Sequence, residues 1–242
     1  MPDSATSRFH TTSWSLVLAA GAKETAASRE ALAKLCRIYW QPTYVFIRRN
    51  GHDPDQAQDL TQGFFTVLLE KNYVADADPQ RGRFRSYLLA SVKHFLANEW
   101  DRGHALKRGG FQNSISIDPV EAETWYAPQA VEQQTPESLF FRRWAISLLE
   151  QVMGKLRAEF ARTGKTQQFE LLSPFLNGDA GETRYATLAA QMGASPGAMR
   201  IAVHRMRSKY KELLRAEIAE TVSGPEQIKD EIRFLLSALS KT

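Results

Sequence analysis

Residues 185–214 read YATLAAQMGASPGAMRIAVHRMRSKYKELL, and the alternation of apolar and basic positions in them decides the fold. Tyr185, Leu188, Ala189 and Met192 fall at i, i+3, i+4 and i+7, the single apolar face of a short helix. Gly193 suits a turn. Ser195 can cap a second helix, and Pro196 fits its first turn, where the missing N–H costs nothing. In that helix Met199, Val203, Met206, Tyr210 and Leu213 form an inward stripe. Arg200, His204, Arg207 and Lys211 form a second stripe, roughly 100–120° further round at 3.6 residues per turn. A helix that anchors one face and offers an adjacent basic face is what a helix-turn-helix lays in a DNA groove. DNA binding is therefore the first expectation, weighed against an ordinary solvated helix face.

The bulk composition of the 242 residues leaves room for that reading. Hydrophobic content of 43% with 24% charged residues is that of a soluble globular chain with an extensive core. The net charge of +4 is mild but unevenly placed. Residues 81–108 hold seven Lys or Arg against two acids, and residues 200–215 hold six against one. Residues 112–138 hold five acids and no Lys or Arg. Two basic blocks around an acidic spacer point to two nucleic-acid contacts. The single cysteine, Cys36, excludes an intrachain disulfide and a Cys-rich zinc site, and its apolar helical setting predicts an inert buried thiol. Five histidines, one cysteine and no Gly-rich phosphate loop assemble no catalytic or metal set, so neither an enzyme nor a cofactor is expected. No run approaches the apolar length of a membrane span. The segment WSLVLAA at 14–20 makes a poor signal peptide and reads better as a helix capped by Ser13, so a cytoplasmic location is expected.

Almost every periodic segment is helical. Leu32, Leu35, Cys36, Tyr39 and Trp40 give a 3.6 period, with Pro42 expected to kink or restart the helix before Asn50-Gly51 ends it. Asp53 can cap the next helix, whose inward face is Ala57, Leu60, Phe64 and Leu68. Residues 76–82 read as a turn, and 84–100 as a helix with Leu88, Val92, Phe95 and Leu96 apolar. Further helices start at Thr135-Pro136-Glu137, around Phe169–Leu176, and after Gly224-Pro225, the last holding Ile228, Ile232, Leu235, Leu236 and Leu239. The fold class is all-α, as two small helical domains joined by a linker. The expected divisions are 1–110, a flexible acidic linker 111–135, a helix-turn-helix domain 136–222 and a C-terminal amphipathic helix 223–242.

Two blocks carry a family resemblance. Residues 53–69 (DPDQAQDLTQGFFTVLL) and 82–108 (GRFRSYLLASVKHFLANEWDRGHALKR) look like region 2 of the sigma-70 family of RNA polymerase sigma factors, most of all its extracytoplasmic-function type. Residues 135–220 resemble region 4, whose recognition helix opens Ser-Pro-Gly-x-hydrophobic-Lys/Arg, matched by Ser195, Pro196, Gly197, Met199 and Arg200. The resemblance implies a factor that binds core RNA polymerase and directs promoter-specific initiation. The upstream promoter element would meet Arg200, His204, Arg205, Arg207, Lys209 and Lys211, the arginines able to pair with guanine edges. The downstream element, which opens into single strand, would meet Arg85, Tyr87, Lys93, His94, Asn98, Trp100 and Arg102, a mixture of stacking surfaces and cations. Trp100 has an alternative as a core aromatic. Asp59, Gln62, Phe65 and Leu69 would grip the polymerase, an exposed polar edge beside apolar side chains. Core polymerase and promoter DNA are the implied partners, and an anti-sigma factor is usual for the type.

The chain departs from the family pattern at Gly63, where an acid is usual, at Tyr87, which replaces a common Trp, and at Ala202, which occupies a frequently basic position. The rival reading is a stand-alone helix-turn-helix repressor acting as a dimer, with the helix from Ile228 to Leu239 as a source of its interface.

Overall fold

The computed structural model describes residues 26–70, 82–105, 134–176, 182–219, 222 and 224–240. The expected cap at Ser13, most of the turn at 76–82 and nearly all of the linker lie outside them. Every regular element among the described residues is helical, and the fold is all-α. The helices are α1 (Ala26–Arg49), α2 (Pro54–Glu70), α3 (Phe84–Ala105), α4 (Pro136–Arg162), α5 (Thr166–Leu172), α6 (Glu182–Met192), α7 (Pro196–Ala219) and α8 (Ile228–Ser240). Short 3-10 turns cover Ser173–Phe175 and Pro225–Gln227. No helix among the described residues is long and apolar enough to cross a membrane.

Local chemistry sets the boundaries. Asp53 Oδ1 accepts the Gln56 N–H at 2.8 Å, Thr135 Oγ1 the Ser138 N–H at 3.2 Å, and Ser195 Oγ the Ala198 N–H at 3.2 Å. Each satisfies an N–H that the first turn of a helix leaves without a partner. Of the expected kink or restart at Pro42, the restart does not occur, since Pro42 sits inside α1 without ending it. The stop comes at Gly51, whose φ of 94° is open to glycine and strained for other residues. Both α3 and α7 run about a turn further than their apolar periods alone indicate.

The chain forms two compact units. One comprises Met1–Ser147 with Ile218–Thr242, the other Leu148–Glu217, so the divisions fall inside α4 and α7. In the first unit the core is largely aromatic: Tyr39, Tyr44 and Phe46 of α1, Phe64 and Phe65 of α2, Phe84 of α3, and Phe140 and Trp144 of α4 are all buried. Trp40 and Phe65 stack with centroids 5.3 Å apart, and Phe64 meets Phe95 edge-on at 5.7 Å.

The tail helix α8 belongs to this unit and buries a charge there. Glu231 is 1% exposed and takes both oxygens to Arg85 Nη1, at 2.6 and 2.8 Å, with Arg83 Nε at 3.3 Å. The Arg85 guanidinium lies 3.9 Å from the centroid of the Phe234 ring and 5.4 Å from that of Trp144. Loss of water pushes the Glu231 carboxyl above its usual range and Arg85 below its own, and their mutual attraction opposes both shifts. A pair held this way stabilises only as a pair. Glu231→Gln is expected to cost about 3–5 kcal/mol in urea unfolding, because it leaves Arg85 buried and uncompensated, whereas Arg85→Met with Glu231→Leu should recover most of that loss.

Candidate nucleic-acid interface

The second unit is built around α6, the turn at Gly193 and α7. Gly193 has φ 60°, and the Ala194 N–H reaches back to the Ala189 carbonyl at 3.0 Å, the six-to-one bond of a Schellman stop. Tyr185, Leu188 and Ala189 of α6 and Met199, Val203 and Met206 of α7 share one core with Leu156, Phe169, Leu172 and Phe175. These are the inward stripes that the periodicity predicts, with Met192, Tyr210 and Leu213 partly buried at their margins.

That packing fixes what α7 presents outward. Arg200, His204, Arg205 and Lys211 are exposed. The Arg200 guanidinium lies 5.8 Å from the Tyr185 ring centroid, which ties this exposed side chain to α6. Arg207, expected on the same face, is instead half-buried and committed to the fold. Its Nε and Nη2 donate to the Phe175 carbonyl at 3.1 and 2.6 Å, tying α7 to the 3-10 turn. Lys209, nine residues from Arg200, points to the far side of the helix at about 100° per residue. There it pairs with Glu212 at 3.1 Å and Glu159 at 3.4 Å, and Glu212 holds its ammonium above the usual range. Lys209 and Arg205 border a groove of about 320 Å³ whose lining includes Phe160, Leu172 and Met206.

Two outward residues escaped the sequence reading. Ile201 is 56% exposed within the basic face. Arg184, near the start of α6, is exposed with its guanidinium 5.2 Å from the Phe175 ring centroid. The signal for it was available, since Arg184 immediately precedes the buried Tyr185 and so cannot share its face.

In the first unit the expected downstream-element residues divide. His94, Asn98 and Trp100 are exposed on the C-terminal half of α3, with Trp100 at 68%, so Trp100 is a surface aromatic and not part of the core. Lys93 is exposed and pairs with Glu137 at 2.6 Å, a contact that pulls the Glu137 carboxyl below its usual range. A half-exposed pair of this kind is worth about 0–1 kcal/mol, so an incoming phosphate can replace the carboxylate. Tyr87 is half-buried against Phe84, with centroids 6.1 Å apart. Arg85 is the clear correction: its expected DNA contact is incompatible with its burial against Glu231. The side chain of Arg102 lies outside the described residues.

The expected polymerase edge on α2 also narrows. Asp59 is exposed and Gln62 half-exposed. Phe65, however, is 1% exposed and stacked on Trp40, so it belongs to the core and not to a docking surface. The side chain of Leu69 lies outside the described residues. Cys36 is half-buried, and its surroundings push the thiol up to about 11, which keeps it unreactive at neutral pH.

Comparisons with protein-family models, curated proteins and solved structures give no match to this chain.

The two arginines of α7 should separate in a stability measurement. Arg207→Ala is expected to destabilise the chain by about 1.5–3 kcal/mol in urea unfolding, the range for hydrogen bonds to a charged donor. His204→Ala, on the exposed face, should stay within about 0.5 kcal/mol of the parent.

Proposed function

We propose that the chain is a transcription-initiation factor of the sigma-70 family, extracytoplasmic-function type, which binds core RNA polymerase and directs it to promoters. The observation that carries this reading is α7, anchored by Met199, Val203 and Met206 and turned so that Arg200, His204, Arg205 and Lys211 face outward after a Gly turn and a Ser-Pro cap. In this reading that face enters the major groove of the upstream element, with Arg200 as the candidate base reader and Lys211 on phosphate. The first unit takes the role of region 2. Trp100 offers a stacking surface to unpaired bases, His94 and Asn98 offer polar groups, and Lys93 offers a cation once Glu137 is displaced. Asp59 and Gln62 are what remains of the polymerase-binding edge. Such a factor works in the cytoplasm without a cofactor and without covalent chemistry, and an anti-sigma factor is a partner of the same proposal.

The arrangement of α8 weighs against a dimeric repressor. Its Glu231, Leu235 and Ala238 are buried within the first unit, so part of the helix that was to supply a dimer interface is committed to the fold, while Leu236 stays exposed.

Transcription reconstituted from the purified chain, core RNA polymerase and promoters of the source genome tests the reading. Discrete transcripts that depend on the chain are expected, together with a chain that is monomeric alone and gains mass on mixing with core. Absence of any transcript and of any complex with core would overturn it. Within an active complex, Lys211→Ala should weaken binding to all promoters alike and flatten the slope of log K against log salt by about 1, the loss of one phosphate contact.

A further inference from the structure

Three large apolar side chains stand strongly exposed among the described residues: Trp100 at 68%, Leu236 at 58% and Ile201 at 56%. A lone surface isoleucine needs no explanation by itself. The surroundings of Ile201 are what make it informative. The larger exposed side chains within a helical turn of it are Arg200, His204 and Arg205, all carriers of polar nitrogen. One turn earlier stands Gly197, also exposed, where even an added Cβ would meet nothing closer than Ser195 Oγ at 4.0 Å. Ile201 therefore projects as an apolar knob from a polar face, with open space toward the start of the helix. Its β-branch leaves essentially one χ1 rotamer in a helix, so the knob is stiff. For the helix alone an alanine would serve better.

The edges of the base pairs in the major groove present hydrogen-bonding groups, with one apolar exception, the C5-methyl of thymine. Building on the DNA-binding reading above, we infer that Ile201 is a specificity-determining residue that packs on the methyl group of one thymine in the upstream element. Arg200 and His204 supply the polar contacts beside it. Ala202, next in the chain, is half-buried and lies about 100° further round the helix, off that face.

Deoxyuridine differs from thymidine by the methyl group alone and isolates the contact. Duplexes are selected from a randomised library by the full chain bound to core RNA polymerase, and each thymine is then replaced in turn by deoxyuridine. At one position the swap should weaken binding of the parent chain about fourfold, the worth of one buried methyl. Ile201→Ala should bind the thymine duplex about as weakly and be indifferent to the swap, while Ile201→Val keeps the sensitivity. Both variants should melt at the temperature of the parent, since the side chain is exposed. Indifference of the parent to every swap, or an undiminished response in Ile201→Ala, overturns the assignment while leaving DNA binding intact. Retention of no duplex from the library overturns the DNA-binding reading and this inference with it.

Discussion

Met199, Val203 and Met206 have to be kept from water, and that one requirement sets the rotation of α7 about its axis. Each is 6% exposed or less, and burial of side chains of this size is worth about 1.5–3 kcal/mol apiece. Their partners are Tyr185, Leu188 and Ala189 across the Gly193 turn, and Phe169, Leu172 and Phe175 behind them. A rotation of even one residue, about 100°, would put arginine into this core and methionine into water. The outward direction of Arg200, Ile201 and His204 thus follows from packing and not from anything those residues do themselves. A surface held this way is preorganised, and a rigid surface loses little entropy on docking to any partner.

A different constraint shapes the first unit. Its aromatic core accepts one full charge, Arg85, and the structure supplies Glu231 from the far end of the chain to meet it. The pair brings α8 into the core beside Phe141 and Trp144, where Phe234 makes ring contacts at 5.1 and 6.1 Å. The helix that carries Arg85 is the one whose other end exposes His94, Asn98 and Trp100. Arg85 in the first half of α3 thus serves the fold, while His94, Asn98 and Trp100 in its second half face solvent.

How much of this was legible in the sequence depended on distance along the chain. Stripes at 3.6 spacing predicted the buried faces of α3, α6 and α7, because a helix face is a local property. The caps at Asp53, Thr135 and Ser195 were equally local and equally readable. Contacts across long separations were not. Arg85 and Glu231 lie 146 residues apart, and Arg207 meets a backbone carbonyl 32 residues away, so both arginines look like surface cations when only neighbours are counted. One signal did exist: Ile228, Glu231, Ile232 and Leu235 follow i, i+3, i+4, i+7, which puts a carboxylate on an apolar stripe and calls for a buried cation. Phe65 was misplaced for a simpler reason. Helix α2 is buried over a wider arc than its strongest stripe, with Thr61 also inside and donating to the Ala57 carbonyl at 2.6 Å.

In the proposed function, a packed helix-turn-helix with a basic outward face and a second helical unit with an exposed aromatic at Trp100 are the two parts of a promoter-binding factor. That proposal requires the outward face of α7 to lie against DNA. A photocrosslinking amino acid at position 204, in the full chain assembled with core polymerase on a promoter duplex, tests this most directly. Adducts confined to bases of the upstream element are expected, and none from the same group placed at Gln167, an exposed position on α5. Equal labelling from both positions, or no DNA adduct from position 204, would contradict it.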